Sequence, residues 1–394
     1  MSKPDLATIQ AVPDPLFIHE DALKISTFQV LDETGNVIQG IHEPHLEKDV
    51  ALRIYHTMQF VRVLDERMVA AQRQGRISFY MQCLGEEAAI IASAAGLSDT
   101  DMIMSQYREH GALAYRGFTL EEFMNQMFSN ECDLGKGRQM PIHYGSQRCH
   151  FMTVSSPLAT QIPQAAGYAY GQKLKGADAC TLCYFGEGAA SEGDFHAGMN
   201  MAAVLKTPTI FFCRNNGYAI STAADEQYVG DGIACRGVGY GMKTIRVDGF
   251  DALAVYEATR VAREHACQHN EPVLIEAIAY RVGAHSTSDD PSGYRTKDEE
   301  EKWQKMDPVK RFEDYLLQKG WINLSEEEKR IEALKKDVLQ AVKKAEKIDK
   351  PDLDQLIEDV YQTPPKHLKQ QLQHLKDHIK KYPQHYPTTA SRLD

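Results

Sequence analysis

The sequence lacks any run of roughly eighteen consecutive apolar residues, so it offers no candidate for a membrane-spanning helix. It also lacks a surplus of basic residues: 44 Lys and Arg against 55 Asp and Glu give a formal net charge of −11. Because general affinity for nucleic acid needs a basic surface, this balance argues against that class of partner. Internal repeats and low-complexity segments are missing too. What remains is the composition of an ordinary globular protein, 43% hydrophobic and 25% charged, with room in its 394 residues for a large core.

The eight cysteines form no disulfide framework, which favours a reducing compartment. Cys180 and Cys183 do make a C-x-x-C, but they lie in an apolar, β-rich run. An odd spacing along a strand sends two side chains to opposite faces of the sheet. Redox C-x-x-C sites usually open a helix instead, so we interpret both as core cysteines.

The first residues, MSKPDLATIQAVPDP, contain neither an apolar signal core nor an arginine-rich presequence. They predict a cytoplasmic location, or the mitochondrial matrix if a presequence has been removed. Residues 1–50 show little periodicity and several prolines, which is typical of an extended arm. We expect such an arm to wrap a neighbouring subunit.

Alternating strand and helix patterns over residues 51–300 predict an α/β domain, with flanking helices on a doubly wound, mostly parallel sheet. Residues 230–240 are interpreted as a glycine-rich loop. From 301 to 394 the pattern changes to charged, amphipathic helices that we expect to pack on this domain or on a partner. One of them has a capping box formed by Ser325 and Glu328.

The most informative stretch runs from residue 186 to 218. It begins GEGAASEGD and predicts a strand end, a glycine turn, a helix from Ser191, a second strand and a polar loop after Asn215-Asn216. The carboxyl ends of parallel strands share one edge of a sheet, where α/β folds bind ligands. Glu187 and the two asparagines offer hard oxygens, and a helix start favours an anion. The stretch therefore predicts a magnesium–diphosphate site; an ordinary strand–helix turn is the alternative.

G-E-G, followed by residues 189–214 and then Asn-Asn, resembles the thiamine diphosphate motif, in which the first part is usually Gly-Asp-Gly. Glutamate for aspartate departs from that form but keeps the carboxylate. From about residue 40 to 385 the chain resembles the α subunit of the E1 component of 2-oxo acid dehydrogenase complexes. The segments GKGRQMPIHYG, RNNGYAIST and HSTSDDPSGYR resemble the branched-chain, 2-oxoisovalerate type.

The resemblance implies thiamine diphosphate and Mg²⁺, with the metal held by Glu187, Asn216 and the backbone carbonyl of Tyr218. The cofactor contacts it implies are Gln106, Tyr107, Arg108, Ser156, Leu158, Gly186, Glu187, Gly188, Ala189, Arg214, Asn216 and His285. It also implies a K⁺ site at Ser155, the carbonyl of Pro157, Thr160 and Gln161. Capping of the following helix is the alternative for those polar groups.

His285 lies in a long polar loop, and long loops in compact domains are commonly functional. Histidine exchanges protons near neutral pH, and the resemblance makes His285 the expected catalytic residue; a solvated loop histidine is the alternative. Phe79, Tyr107 and Leu158 are expected to shape an apolar substrate pocket, although Phe79 suits core packing equally well.

Thiamine catalysis needs a metal–diphosphate anchor and a second carboxylate at the aminopyrimidine, and this chain shows one anchor motif only. We therefore expect a separate β chain, in an α2β2 heterotetramer, and a lipoyl-bearing E2 acyltransferase as further partner. The expected reaction is oxidative decarboxylation of branched-chain 2-oxo acids with reductive acylation of a lipoyl group. The same chemistry on pyruvate or acetoin is one alternative, and a non-catalytic scaffold subunit is another.

Overall fold

A computed structural model of the protein describes residues 23–386. Its centre is a seven-stranded sheet in which all neighbouring strands run parallel, in the order β1-β8-β9-β5-β4-β2-β3. A short antiparallel hairpin, β6-β7, follows β5. The strands are β1 Thr27–Phe28, β2 Met102–Met104, β3 Phe151–Met152, β4 Thr181–Gly186, β5 Thr209–Asn215, β6 Tyr218–Ala219, β7 Thr222–Ala223, β8 Lys243–Asp248 and β9 Val273–Ile278.

Helices connect and cover these strands. They are α1 Lys48–Arg73, α2 Glu87–Ala95, α3 His110–Tyr115, α4 Leu120–Met127, α5 Gln161–Leu174, α6 Gly193–Leu205, α7 Ala224–Gln227, α8 Ala234–Gly239, α9 Ala252–His269, α10 Lys297–Gln304, α11 Pro308–Gln318, α12 Leu324–Ala345 and α13 Lys366–Lys381. Short 3₁₀ turns cover Glu187–Ser191, Pro291–Gly293, Leu353–Leu356 and Pro383–His385. Within residues 23–386, none of the helices has the length and apolarity needed to cross a membrane.

Strand β4 shows why the sheet is covered on both faces. Leu182 and Tyr184 enter the larger apolar cluster, to which α1, α2 and α9 contribute, whereas Phe185 enters a second cluster with α5 and α6. Cys180 belongs to the first cluster and Cys183 to the second, and both are buried free thiols. The doubly wound α/β prediction and the interpretation of these cysteines as core residues are both confirmed.

Three local predictions were wrong. Residues 230–240 are not a loop throughout, because α8 forms where the backbone N–H groups of Ile233 and Ala234 bind the buried Glu276 carboxylate at 2.8 and 2.9 Å. The helix expected from Ser191 begins at Gly193, after the 3₁₀ turn. Helix α12 begins two residues earlier than the capping box required, since the Asn323 side chain caps it through the Ser325 N–H.

The ends of the chain add to the α/β body. Thr27–Phe28 pairs with β8 and extends the sheet, a role its weak periodicity did not predict. Helices α11 and α12 pack on α1, so part of the charged helical region covers the domain. The boundaries at residues 50 and 300 stay predictions. The first 22 residues of the expected arm lie outside the described residues.

Candidate functional site

A cavity of about 250 Å³ opens at the carboxyl edge of the sheet. It lies where β2, β4, β5 and β9 end, because each of these parallel strands delivers a polar segment to the same edge. Its walls are Gln106, Tyr107, Arg108, Leu158, Gly186, Glu187, Gly188, Ala189, Glu192, Arg214, Asn216, Tyr218, Ala219, Ile220, Arg281 and His285.

Two residues predicted for this site do not line the cavity in the described part of the chain. The Ser156 hydroxyl instead makes a short contact with Nε2 of His143. Phe79 is half-buried and packs against the larger apolar cluster, in keeping with the core-packing alternative. Every other predicted cofactor contact, and Tyr218, lies in the wall.

Glu187 follows β4 directly and is 1% exposed. Its Oε2 accepts a hydrogen bond from the Asn216 N–H at 3.2 Å, but Oε1 has no partner among the described residues. Burial raises the pKa of this carboxyl above its ordinary value. Since buried polar atoms are nearly always satisfied, an orphaned carboxylate oxygen facing a cavity marks a place for a cation.

The two asparagines after β5 have different surroundings. Asn215 turns away from the cavity and donates to Glu276 at 2.8 Å and to the Tyr228 hydroxyl at 3.0 Å. Asn216 lines the cavity, and its Nδ2 donates to Oε1 of Glu86 at 2.5 Å. That bond fixes which end of the amide is nitrogen and leaves Oδ1 as the acceptor, which takes one bond from the Tyr218 N–H at 3.3 Å. Of the two asparagines, only Asn216 lines the cavity in the described part of the chain.

Arg214 is held by two buried carboxylates. Its Nε donates to Glu109 at 2.6 Å and its Nη1 to Glu86 at 2.8 Å. Burial alone would lower the pKa of Arg214, but Glu109 and Glu86 outweigh it and raise that pKa. With Arg108 and Arg281 also in the wall, three guanidinium groups face the cavity, which favours an anionic ligand.

Two arginines orient the imidazole of His285. Arg108 Nη2 lies 2.9 Å from the His285 carbonyl and 3.4 Å from its Nδ1, and Arg281 Nη1 lies 3.3 Å from the same Nδ1. Because guanidinium groups only donate, Nδ1 must accept and the ring proton is on Nε2. Burial, with the charges of Arg108 and Arg281, lowers the pKa of His285 to about 3. The imidazole is therefore neutral at physiological pH.

The loop that carries His285 is docked along an extended segment before α2. The Val282 N–H donates to the Leu84 carbonyl at 3.0 Å, and the Thr287 N–H donates to the Tyr80 carbonyl at 3.1 Å. That segment is anchored in turn by buried Asp65, which accepts from the Tyr80 hydroxyl at 2.7 Å. The position of the histidine thus depends on side chains remote from the cavity.

The segment predicted to hold a monovalent cation lies just before α5. Gln161 Nε2 donates to the Tyr184 carbonyl at 3.0 Å, while its buried Oε1 has no partner in the part of the chain that the structure describes. The Thr160 hydroxyl donates to the Pro157 carbonyl at 3.1 Å and does not cap the helix. Half-buried Ser155 completes the predicted set. Since Thr160 does not cap α5 and the Gln161 amide oxygen is orphaned, these polar groups are not explained by helix capping.

Three buried charges at the site were not predicted: Glu86, Glu109 and Arg281. Arg281 follows β9 at the edge where Glu187 follows β4, so the same strand-end reasoning would have found it. The two glutamates carried no local signal, because their roles depend on the distant Arg214.

A parallel α/β sheet thus carries, at its carboxyl edge, a cavity walled by arginine and carboxylate groups, whose chemistry suits an anionic ligand. A family model described as Dehydrogenase E1 component matches residues 55–354 of this chain. The chain therefore belongs to the dehydrogenase E1 family, whose enzymes depend on thiamine diphosphate.

Curated relatives agree with this assignment. Proteins named 2-oxoisovalerate dehydrogenase subunit alpha, mitochondrial, from Homo sapiens and Pan troglodytes are each 52% identical over 364 residues, covering 92% of this chain and 82% of the relative. Subunit alpha 1 from Arabidopsis thaliana is 51% identical over 373 residues, covering 94% and 79%. These names place the relatives in mitochondria, so the cytoplasmic prediction is not confirmed.

Proposed function

We propose that this chain is the α subunit of a thiamine-diphosphate-dependent E1 enzyme that oxidatively decarboxylates branched-chain 2-oxo acids and reductively acylates a lipoyl group on an E2 acyltransferase. The observation that carries the proposal is the orphaned Oε1 of buried Glu187, beside Asn216 in a cavity walled by three arginines. The relatives that bear the 2-oxoisovalerate name support the substrate class.

The donor set would suit Mg²⁺ bound together with a diphosphate. Glu187 Oε1, Asn216 Oδ1 and the Tyr218 carbonyl would hold the metal, since all three are hard oxygens of residues that line the cavity. Gly188, next to Glu187, leaves no room for a side chain. A Cβ on Gly188 would stand 2.7 Å from that of Ala219. When bound, thiamine diphosphate supplies the nucleophilic carbon and the electron sink that decarboxylation needs.

The residues of this chain fix the orientation and the tautomer of His285. Arg108 and Arg281 fix Nδ1 of His285 as an acceptor, which leaves the Nε2–H as the donor available to a ligand in the cavity. A neutral imidazole with a fixed tautomer can donate a hydrogen bond from Nε2 to a developing oxyanion, and its lowered pKa keeps that ring uncharged while it does so. Tyr107 and Leu158 give the cavity an apolar side suited to a branched substrate.

We also propose that the site is completed by a β subunit in an α2β2 heterotetramer. The cavity of about 250 Å³ is smaller than the roughly 300–1,000 Å³ typical of ligand pockets. It supplies an anchor for a metal and a diphosphate, and the second carboxylate that the chemistry requires comes from the partner. A K⁺ ion at Ser155, Pro157, Thr160 and Gln161 would order the adjoining segment that carries Leu158.

Calorimetry tests the divided site. Thiamine diphosphate with Mg²⁺ is titrated into the chain alone and into the chain with its co-purified β partner. Weak binding alone and tight binding together are expected; tight binding by the isolated chain would exclude the divided site.

Turnover of the reconstituted enzyme tests the substrate. We expect 3-methyl-2-oxobutanoate to be preferred over pyruvate, and a preference for pyruvate or acetoin would move the enzyme to that branch of the family. Absence of decarboxylation with every 2-oxo acid would support the scaffold alternative.

A further inference from the structure

A second cluster of reactive groups lies at the opposite, amino edge of the sheet. Cys180 immediately precedes β4, and Cys267 lies near the end of α9. Their sulfur atoms and a carboxylate oxygen of Asp101 all lie within 4.8 Å of one another. The pair joins positions 180 and 267, so neither the C-x-x-C nor any other local pattern indicates it.

Asp101 in this cluster is already fully engaged. It accepts from the Cys180 N–H at 2.9 Å, from the Ser98 N–H at 2.7 Å and from Arg263 Nε at 2.6 Å. A guanidinium on the carboxylate opposes a metal cation there. The cluster is therefore a dithiol beside an Asp101–Arg263 ion pair, and not a metal site.

The two thiols differ in the way that a reactive pair requires. Cys267 is half-buried, whereas Cys180 is fully buried. The hydrogen bond with Cys180, assisted by Arg263, lowers the pKa of Cys267 against the effects of burial and of the carboxylates of Asp101 and Asp178. The same contact and burial raise the pKa of Cys180. A partly exposed thiol with a lowered pKa, beside a buried resolving thiol, is the arrangement found in redox-active cysteine pairs.

We propose that Cys180 and Cys267 are an oxidative modification site that forms a reversible disulfide with hydroperoxides. The Cys267 thiolate attacks the outer hydroperoxide oxygen, the O–O bond breaks, and an alcohol or water leaves after protonation. The sulfenic acid on Cys267 is then attacked by the Cys180 sulfur, which loses its proton as water departs. Two thiols and one hydroperoxide thus give one disulfide, one alcohol or water, and one further water.

The disulfide would tie α9 to the start of β4. The cavity lies at the other end of β4, and six strand residues at about 3.3 Å each place it roughly 20 Å away. Since the link constrains the unfolded chain without reaching the cavity, the oxidised protein should keep its activity and unfold at higher temperature.

The test uses the intact α/β enzyme, treated with hydrogen peroxide, alkylated without reduction, digested and analysed by mass spectrometry. A linked pair of peptides containing Cys180 and Cys267 is expected, two hydrogen atoms lighter than their sum and released by dithiothreitol. The link and the rise in Tm should vanish in Cys267→Ser and persist in Cys235→Ser, which removes another half-buried thiol.

Two results would overturn the proposal. One is oxidation of Cys267 to sulfinic acid while Cys180 stays a free thiol. The other is no change at either residue under conditions that fully oxidise exposed Cys132. Cys267 is the thiol to replace, because it is partly open to solvent, whereas a change at fully buried Cys180 could prevent folding.

Discussion

Glu187, just after β4, and Glu276, within β9, are both buried glutamates, 1% and 0% exposed, yet their surroundings are opposite. Glu276 accepts from Arg246 at 3.0 Å, from Asn215 at 2.8 Å and from two backbone N–H groups, so all of its capacity is used. Glu187 accepts one weak backbone bond, and its other oxygen has no partner within residues 23–386.

The difference separates structure from function on adjacent elements. A buried carboxylate is tolerated when donors replace its lost hydration, and it costs free energy when they do not. Strand β5 serves both cases, because Asn215 binds Glu276 while Asn216 faces the cavity with Glu187. Glu276 therefore stabilises the fold, whereas Glu187 has the incomplete environment expected of a ligand-binding group.

The largest effect is expected from Glu276→Gln. It leaves the buried Arg246 with less compensation and replaces one of the two oxygens that accept from the start of α8 by an NH2 donor. Breaking a buried pair costs about 3–5 kcal/mol, and the lower end, about 3 kcal/mol, is expected because Arg246 keeps Asp231. Urea unfolding of the enzyme without cofactor measures this. A loss of unfolding free energy below about 1 kcal/mol would contradict the claim that Glu276 stabilises the fold.

Glu187→Gln should act in the opposite way. Loss of outer-shell partners alone costs about 10–100-fold in metal affinity, so losing a direct ligand should weaken Mg²⁺-dependent cofactor binding by more than about 100-fold. The unfolding free energy of the cofactor-free protein should not fall, because a partly unsatisfied buried charge is removed. Calorimetry and urea unfolding of one preparation measure both. Unchanged cofactor binding would exclude Glu187 as a metal ligand.

A smaller effect is expected from Gly188→Ala, which adds a Cβ 2.7 Å from that of Ala219. Overpacking costs about 1–3 kcal/mol, and the strain falls on the turn that carries Glu187. We expect weaker cofactor binding by about tenfold or more. Gly193→Ala is the matched control, since a Cβ there meets no heavy atom of the described residues within 4 Å. Equal effects of the two changes on cofactor binding would contradict the inference that close packing of Gly188 on Ala219 positions Glu187.

The comparison also shows what the sequence could predict. The surroundings of Glu187 were predictable from local sequence. Glycine, carboxylate and asparagine follow two strands at a fixed spacing, and that pattern alone placed them together. The surroundings of Glu276 depend on strand register, because Arg246 and Glu276 are paired across β8 and β9, and no single segment of the sequence reveals that pairing. Ser156 was placed by resemblance, and Phe79 by its position in a stretch that suits core packing equally well; neither lines the cavity in the described structure.

The smallest effect concerns His285, whose pKa falls from an ordinary 6.5 to about 3 because burial and two arginines disfavour its charged form. Between these values the unfolded chain binds a proton that the folded protein does not, so stability decreases as pH falls from about 6.5 towards 3. The slope is at most about 1.4 kcal/mol per pH unit, and less for a half-buried ring.

His285→Gln should therefore make Tm fall less between neutral pH and pH of about 5. His45→Gln, at an exposed residue, is the control for loss of an imidazole. If both variants keep the pH dependence of the original chain, His285 is not held neutral by its arginines, and the tautomer assigned to it loses its support.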